Sequence, residues 1–397
     1  MEDHETASLF MHYTYNGDID QVHWMLEESF DVMTRDSQGL TALFYAVLAN
    51  RHDMASFLLQ YGGRELAMAT APNGASCLYV ACQNGFAKVA RQLADVGGLN
   101  LLHEATEEGC SCLYIASQQG HLEIVQDLIA RSPDLIHTTS LHEFSCLHIA
   151  CQHGNLEVAE ALIEAGGPAL LHLPSKTGRT CLHVACEFGR KEITQMLVKK
   201  GGAALLYKHS DDASSALLCA CREGHAELVR VIMDSGGEKL LHGEGLGGFA
   251  CMREACRRGH INVVDALLEA GGETLLFAAN QAEGGHESCL MAACAKGHTE
   301  LVRMLVGRLG ATLLHRTPTE AAACLQAASR SGSEELASLL MAEAQRPARP
   351  GLHFERQNWL SAAYERAQVG AALALLSAGG VAGSMEAARE DSGDDGQ

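Results

Sequence analysis

The chain has 397 residues, of which 47% are apolar, 20% charged and 5% aromatic, with a formal net charge of -20. That much negative charge repels nucleic acid and anionic membrane surfaces, so neither is an expected partner. No apolar run reaches the roughly 20 residues needed to span a bilayer, and the apolar content supports a packed core over most of the length.

The chain opens with MEDHETASLF, which is acidic and lacks the basic start and long apolar stretch of a secretory leader. With no leader, the odd count of 15 cysteines reads as reduced thiols, and a cytoplasmic location is expected, with the nucleus as the alternative. The acidic start and the unpatterned end are expected to bound a complete chain.

From Phe10 onward the sequence repeats. An apolar anchor recurs at Phe10, Leu43, Leu78, Leu113, Leu147, Leu182, Leu217, Met252, Leu290, Leu325 and Leu360, mostly at intervals of 35. Seven residues after most anchors stands a glycine, from Gly17 and Gly85 to Gly297 and Gly332. Each repeat reads as two helices. A short apolar stretch such as LHVAC (Leu182 to Cys186) leads to the glycine. A second stretch such as HLEIVQDLI follows, where Leu122, Val125, Leu128 and Ile129 fall on one helical face. A Gly-Gly pair, as at Gly62-Gly63 and Gly201-Gly202, is expected to end that second helix. An apolar pair such as Leu205-Leu206 and a polar turn complete the repeat. Residues 5–380 therefore read as about eleven repeats with atypical, capping end repeats. Residues 381–397 (VAGSMEAAREDSGDDGQ) have no period and read as a disordered acidic tail.

TCLHVAC (Thr180 to Cys186) and SCLHIAC (Ser145 to Cys151) resemble the T-P-L-H-x-A signature of the ankyrin repeat family. The resemblance runs over essentially the whole chain. It implies an all-α, ankyrin-type solenoid of helix-turn-helix units with projecting β-turn fingers and a core continuous from unit to unit. At about 10 Å per repeat, eleven repeats would make a curved rod on the order of 100 Å long with an extended concave groove. Two departures stand out. Cysteine or another residue replaces the signature proline, which should weaken each helix start slightly. The repeats also exceed the usual 33 residues; the extra ones follow the Gly-Gly pair, which predicts a longer projecting hairpin.

In a solenoid, equivalent positions form columns. In the family, the two residues before the central glycine face the groove. Here they run from amides, Gln83-Asn84, Gln118-Gln119 and Gln152-His153, to cations at Arg222, Arg257-Arg258, Lys296 and Arg330. Arg222, Arg257, Arg258, Lys296, Arg330, Gln118, Gln119 and Gln152 are therefore the candidate partner-binding residues. The cations would meet an acidic segment, since arginine pairs carboxylates through a planar fork. The competing reading is a solvated face whose arginines pair with nearby glutamates.

His103, His137, His172, His242 and His315 form a second column. Neighbours one repeat apart cannot share a zinc ion, which holds its nitrogens at about 2 Å, so a bracing role in the turn is expected and no metal. Cysteines form two more columns, one just before the anchor (Cys77 to Cys324) and one four residues after it (Cys82 to Cys294). Members of one column stand too far apart for a disulfide. The first column lies at helix starts, where the dipole lowers a thiol pKa, so thiol sensing is a minor alternative to small-residue packing. An insertion at Ala279 to Ser288 extends one fingertip, which is a candidate partner contact. GEGLGG (Gly243 to Gly248) lacks the ending of a phosphate loop, and Pro347 and Pro350 read as punctuation.

No catalytic signature is present, so the chain is expected to be neither an enzyme nor a cofactor binder. The expected function is a monomeric, non-catalytic protein-interaction scaffold or adaptor. The alternatives are a substrate-recognition subunit of a ubiquitin ligase, although no box or ring segment accompanies the repeats, and a regulatory fragment of a larger enzyme.

Overall fold

Serine or threonine begins the first helix of each repeat. Ser76, Ser111, Ser145 and Ser288 accept a hydrogen bond through the side chain from the backbone N–H three residues on, at 3.1 to 3.3 Å. The helices Cys77–Asn84, Cys112–Gln119, Cys146–His153 and Cys289–Ala295 therefore start capped, without the proline that the family places there. They stop at a residue that breaks the helix, such as Gly85, Gly120 and Gly154, in left-handed backbone with φ between 77° and 86°. A second helix then runs back, as in Ala87–His103, Leu122–Arg131 and Leu156–Gly166.

The computed structural model describes residues 2–236, 239–242, 247–277, 288–309 and 318–344. The expected eleventh repeat around residue 360, residues 381–397, most of the fingertips at 243–248 and 279–288, His315 and the Pro347 and Pro350 punctuation lie outside them. The chain divides into two compact units, residues 1–216 and 217–397. Within each unit, first helices pack on first helices and second helices on second helices, so two helical layers share one core. Leu78, Leu113, Leu147 and Leu182 are fully buried in the first unit, and Met252, Val263 and Val264 in the second. Arginines such as Arg91 with Glu123 (2.6 Å) and Arg308 with Asp265 (2.8 Å) tie neighbouring second helices together; being exposed, such pairs contribute little stability.

The Gly-Gly pair does something other than end the second helix. The first glycine remains helical. The second turns the chain, with φ and ψ of 51° and -143° at Gly63, 64° and -160° at Gly98, and 55° and -157° at Gly202. That region of backbone space is closed to residues with a Cβ. Another helical turn follows, as in Pro168–Leu171, and it buries the apolar pair, Leu170-Leu171 and Leu205-Leu206 among others. The first glycine is needed for room: a Cβ on Gly62 or Gly97 would sit 2.4 Å from a leucine of this turn. The extra residues of the repeat thus make a third, one-turn helix, and the longer hairpin expected from the sequence does not form. The fingers keep one length, closed by single bridges at Thr70–Ser76, Ala105–Ser111, Thr139–Ser145 and His209–Ser215. Where Ser132-Pro133 replaces Gly-Gly, the turn is a 3-10 helix, Pro133–His137, which buries Leu135 and Ile136.

Neighbouring fingers in the first unit are joined backbone to backbone. Glu107 donates to Asn73, Leu141 to Glu108, Lys176 to His142 and Asp211 to Thr177, at 3.0 to 3.2 Å. These bonds set the finger spacing to the helix spacing.

Candidate interaction surface

Two columns of polar side chains hold one repeat to the next. The first is the signature histidine. His183 is fully buried. Its Nδ1 lies 3.2 Å from Thr180 N and 2.9 Å from Thr180 Oγ1, and its Nε2–H donates to Ser214 O at 3.0 Å, 31 residues on. His148 repeats this geometry with Ser145 and with Arg179 O at 3.0 Å. Burial, aided by the nearby positive charge of Arg179, pushes both imidazoles down to about 4. Both are therefore neutral bridges.

The second column is the residue just after the central glycine, a position the sequence reading passed over. His121 Nε2 reaches Gln83 O at 3.2 Å, Asn155 Nδ2 reaches Ser117 O and Gln118 O at 2.8 Å, and Arg190 Nε reaches Gln152 O at 2.9 Å. In the second unit His260 and His298 reach Arg222 O and Arg257 O at 3.0 Å. Each closes a last-turn carbonyl of the preceding repeat's first helix. The signal was present in the dipeptides Gly120-His121, Gly154-Asn155, Gly189-Arg190 and Gly259-His260.

This ladder fixes the ends of the first helices, where the candidate binding residues stand. Gln118, Gln119 and Gln152 lie at helix ends in the first unit, Gln119 exposed and the other two half-buried. The five first helices from Ala42 to Glu187 carry one charged residue between them, Glu187, which pairs with Arg179.

The cations stand in the second unit. Arg257 and Arg258 converge on Glu254, at 2.8 Å and 3.0 Å, and Arg222 approaches it at 3.8 Å. Arg258 also lies 3.5 Å from Glu223. The Glu254 side chain is 14% exposed. Burial alone would raise its pKa, but the hydrogen bonds from Arg257 and Arg258 hold the carboxyl below the ordinary glutamate range. Lys296 and Arg330 are exposed and make no ion pair among the described residues. With Arg253, the first helices of this unit carry six cations, counting Lys296 at the end of the third. Against them stand three carboxylates, at Glu223, Glu254 and Glu320. A surplus of positive charge on this row is set within a chain of net charge -20. Glu254 was missed in the sequence because its column otherwise holds apolar residues such as Val80, Ile149 and Val184.

The cysteines are placed by burial. Fourteen of the fifteen are buried and Cys110 is half-buried; none is in a disulfide. The two columns meet between repeats, where the thiols of Cys82 and Cys112, Cys151 and Cys181, and Cys256 and Cys289 are hydrogen-bonded. Burial pushes Cys146 up to about 12 and Cys77 well above the usual thiol range, outweighing the helix dipole. Near neutral pH, an aromatic disulfide reagent should therefore find at most Cys110 readily, with the other fourteen reacting only as the chain unfolds; several fast thiols in the folded chain would show that burial does not control them. Within the other histidine column, His103 Nε2 lies 3.1 Å from Ser132 Oγ, while His172 Nδ1 is buried without a partner. Among the described residues, no three His, Cys, Asp or Glu side chains come together as a metal site. None of the described helices is long and apolar enough to cross a membrane.

The family pattern described as Ankyrin repeats (3 copies) matches residues 10–102, 64–139 and 113–208, about half of the chain, and the single Ankyrin repeat pattern matches residues 285–318. The chain belongs to the ankyrin repeat family. The capped first helix, the histidine bridge and the finger of each repeat are thus the ankyrin unit, here with a third helical turn. No curated protein matches this ankyrin chain. Ankyrin repeats are generally protein–protein interaction modules and are typically non-catalytic.

Proposed function

We propose that this ankyrin chain is a non-catalytic adaptor whose second unit takes an acidic segment of a partner protein along its row of first helices. The carrying observation is the convergence of Arg222, Arg257 and Arg258 on Glu254, with Lys296 and Arg330 on the following repeats. Glu254 already holds two guanidinium forks in place, so a partner carboxylate meets arginines whose side-chain entropy has been lost beforehand. Rim charges of this kind set the rate of encounter and the salt dependence of binding. The amides Gln118, Gln119 and Gln152 on the first unit would make uncharged contacts. The free thiols suit a reducing compartment, so we place this work in the cytosol or nucleus.

Charge reversal at Arg257 and Arg258 would crowd new carboxylates around the half-buried Glu254 and unsettle the repeat. The triple change E254Q/R257Q/R258Q removes the pairs without leaving a buried charge behind. Affinity capture from a native lysate, with bound proteins identified by mass, should give a saturable partner with the intact chain. The triple variant should lose at least about tenfold of that capture while keeping its urea midpoint within about 1 kcal/mol. Equal capture by both chains would remove the basic row from the account.

A further inference from the structure

The charge on the first helices differs between the two units. In the first unit, the helices Ala42–Leu48, Cys77–Asn84, Cys112–Gln119, Cys146–His153 and Cys181–Glu187 offer an acidic chain no cation at all. In the second unit, the row holds Arg222, Arg253, Arg257, Arg258, Lys296 and Arg330. Arg257, Arg258, Lys296 and Arg330 are exposed. Further along the same chain stands a segment of opposite sign. Between Ser384 and Gln397 it carries Glu386, Glu390, Asp391, Asp394 and Asp395 against the single cation Arg389. Apart from Met385 and two alanines it has no apolar side chains, so it cannot build a core of its own.

We propose that this acidic segment, residues 384–397, occupies the basic row of first helices in its own second unit and competes there with the acidic partner. The inference rests on the reading that this row binds carboxylates. Reach favours it. Arg258 and residue 380 belong to repeats about three apart, which is roughly 30 Å at 10 Å per repeat. Seventeen residues span up to about 56 Å when extended, so the segment reaches the row even with everything before residue 381 built into the array. Tethering also raises the local concentration of the segment to the millimolar range, enough for a few screened ion pairs to hold it where a free peptide of the same sequence would bind weakly. An acidic partner must then displace the segment, so its apparent affinity is lowered by the fraction of chains in which the row is covered.

Two measurements on the intact chain test this. In the first, the dilute chain is treated with a water-soluble carbodiimide, which joins an amine to a carboxylate at contact distance, and the monomer is digested and mapped by mass. The expected product links Lys296 to a carboxylate between Glu386 and Asp395, fades at high salt and is absent from E254Q/R257Q/R258Q. In the second, a labelled decaglutamate peptide is titrated by anisotropy against the intact chain and against the full-length variant E386Q/E390Q/D391N/D394N/D395N. Neutralising the segment should tighten decaglutamate binding about tenfold or more. If no such link forms within the monomer and both chains bind decaglutamate equally, the segment does not cover the row, and the carboxylate-binding reading stands. Links found only between two copies of the chain overturn the intramolecular arrangement. If decaglutamate binds neither chain, the carboxylate-binding reading falls, and the covering segment with it.

Discussion

A His183→Leu variant should lose about 4 kcal/mol of stability at neutral pH, the largest effect expected of any single change outside the apolar core. Leucine fills much of the same space but leaves two buried groups without partners, Thr180 N–H and Ser214 C=O. Each orphaned group costs about 1–3 kcal/mol, in addition to the lost bonds. The two groups belong to adjacent repeats, so the change also weakens the coupling on which a repeat array depends. Urea unfolding followed by helical signal measures the loss, and a change under about 1 kcal/mol would mean that the bridge is not made. The same histidine makes stability depend on pH. Its folded pKa is about 4, and its unfolded pKa lies near 6.5. Between those values the unfolded chain holds more protons, so stability is intact above about pH 6.5 and is lost as pH falls toward 4. From pH 7 to pH 5, His148 and His183 should each remove about 2 kcal/mol. His183→Leu should be less sensitive to acid than the parent by that amount, whereas identical slopes would place the acid response elsewhere.

Gly120→Ala should cost about 3 kcal/mol, an effect far larger than one methyl group suggests. Gly120 sits at φ 81°, where a Cβ costs about 1 kcal/mol or more. That Cβ would also lie 2.8 Å from Asn155 Oδ1. Asn155 would then have to move, giving up its bonds to Ser117 O and Gln118 O. Asn155→Ala alone should cost about 2 kcal/mol for the same two bonds. The double variant should be at least about 1 kcal/mol better than the sum of the two, because the alanine at residue 155 vacates the space that the new methyl group needs. Strict additivity in this cycle would separate the glycine from the ladder that the structure draws through it.

The repeat and its two-helix unit were legible in the sequence because the anchors and glycines recur at fixed spacing, and each repeat buries its apolar face on the next. The Gly-Gly pair was misread for a physical reason. Glycine after a helix ordinarily signals a left-handed stop, yet Gly63, Gly98 and Gly202 adopt a different positive-φ region that aims the chain into another helical turn. Composition does not distinguish those two states. The apolar pairs, such as Leu205-Leu206, were the available clue, since two consecutive buried leucines suit a packed turn better than an open hairpin. In the candidate site, the cationic column could be read from Arg222, Arg257, Arg258, Lys296 and Arg330 by position alone. Its pairing with Glu254 could not, because Glu254 stands three residues before Arg257 in a column that is apolar elsewhere. Only packing the helix Gly247–Arg258 beside Ala216–Glu223 brings Arg222 and Glu223 to it. The cysteine pairs were hidden for the same reason: each joins one column of a repeat to the other column of the next.

The central claim, that the second unit's basic row takes carboxylates, is tested most directly by the affinity of labelled decaglutamate for the intact chain and for E254Q/R257Q/R258Q, each at low and high salt. The account predicts saturable binding to the intact chain, weakened at least about tenfold by the triple change and by raising salt. Equal affinity for the two chains, or binding indifferent to salt, would contradict it.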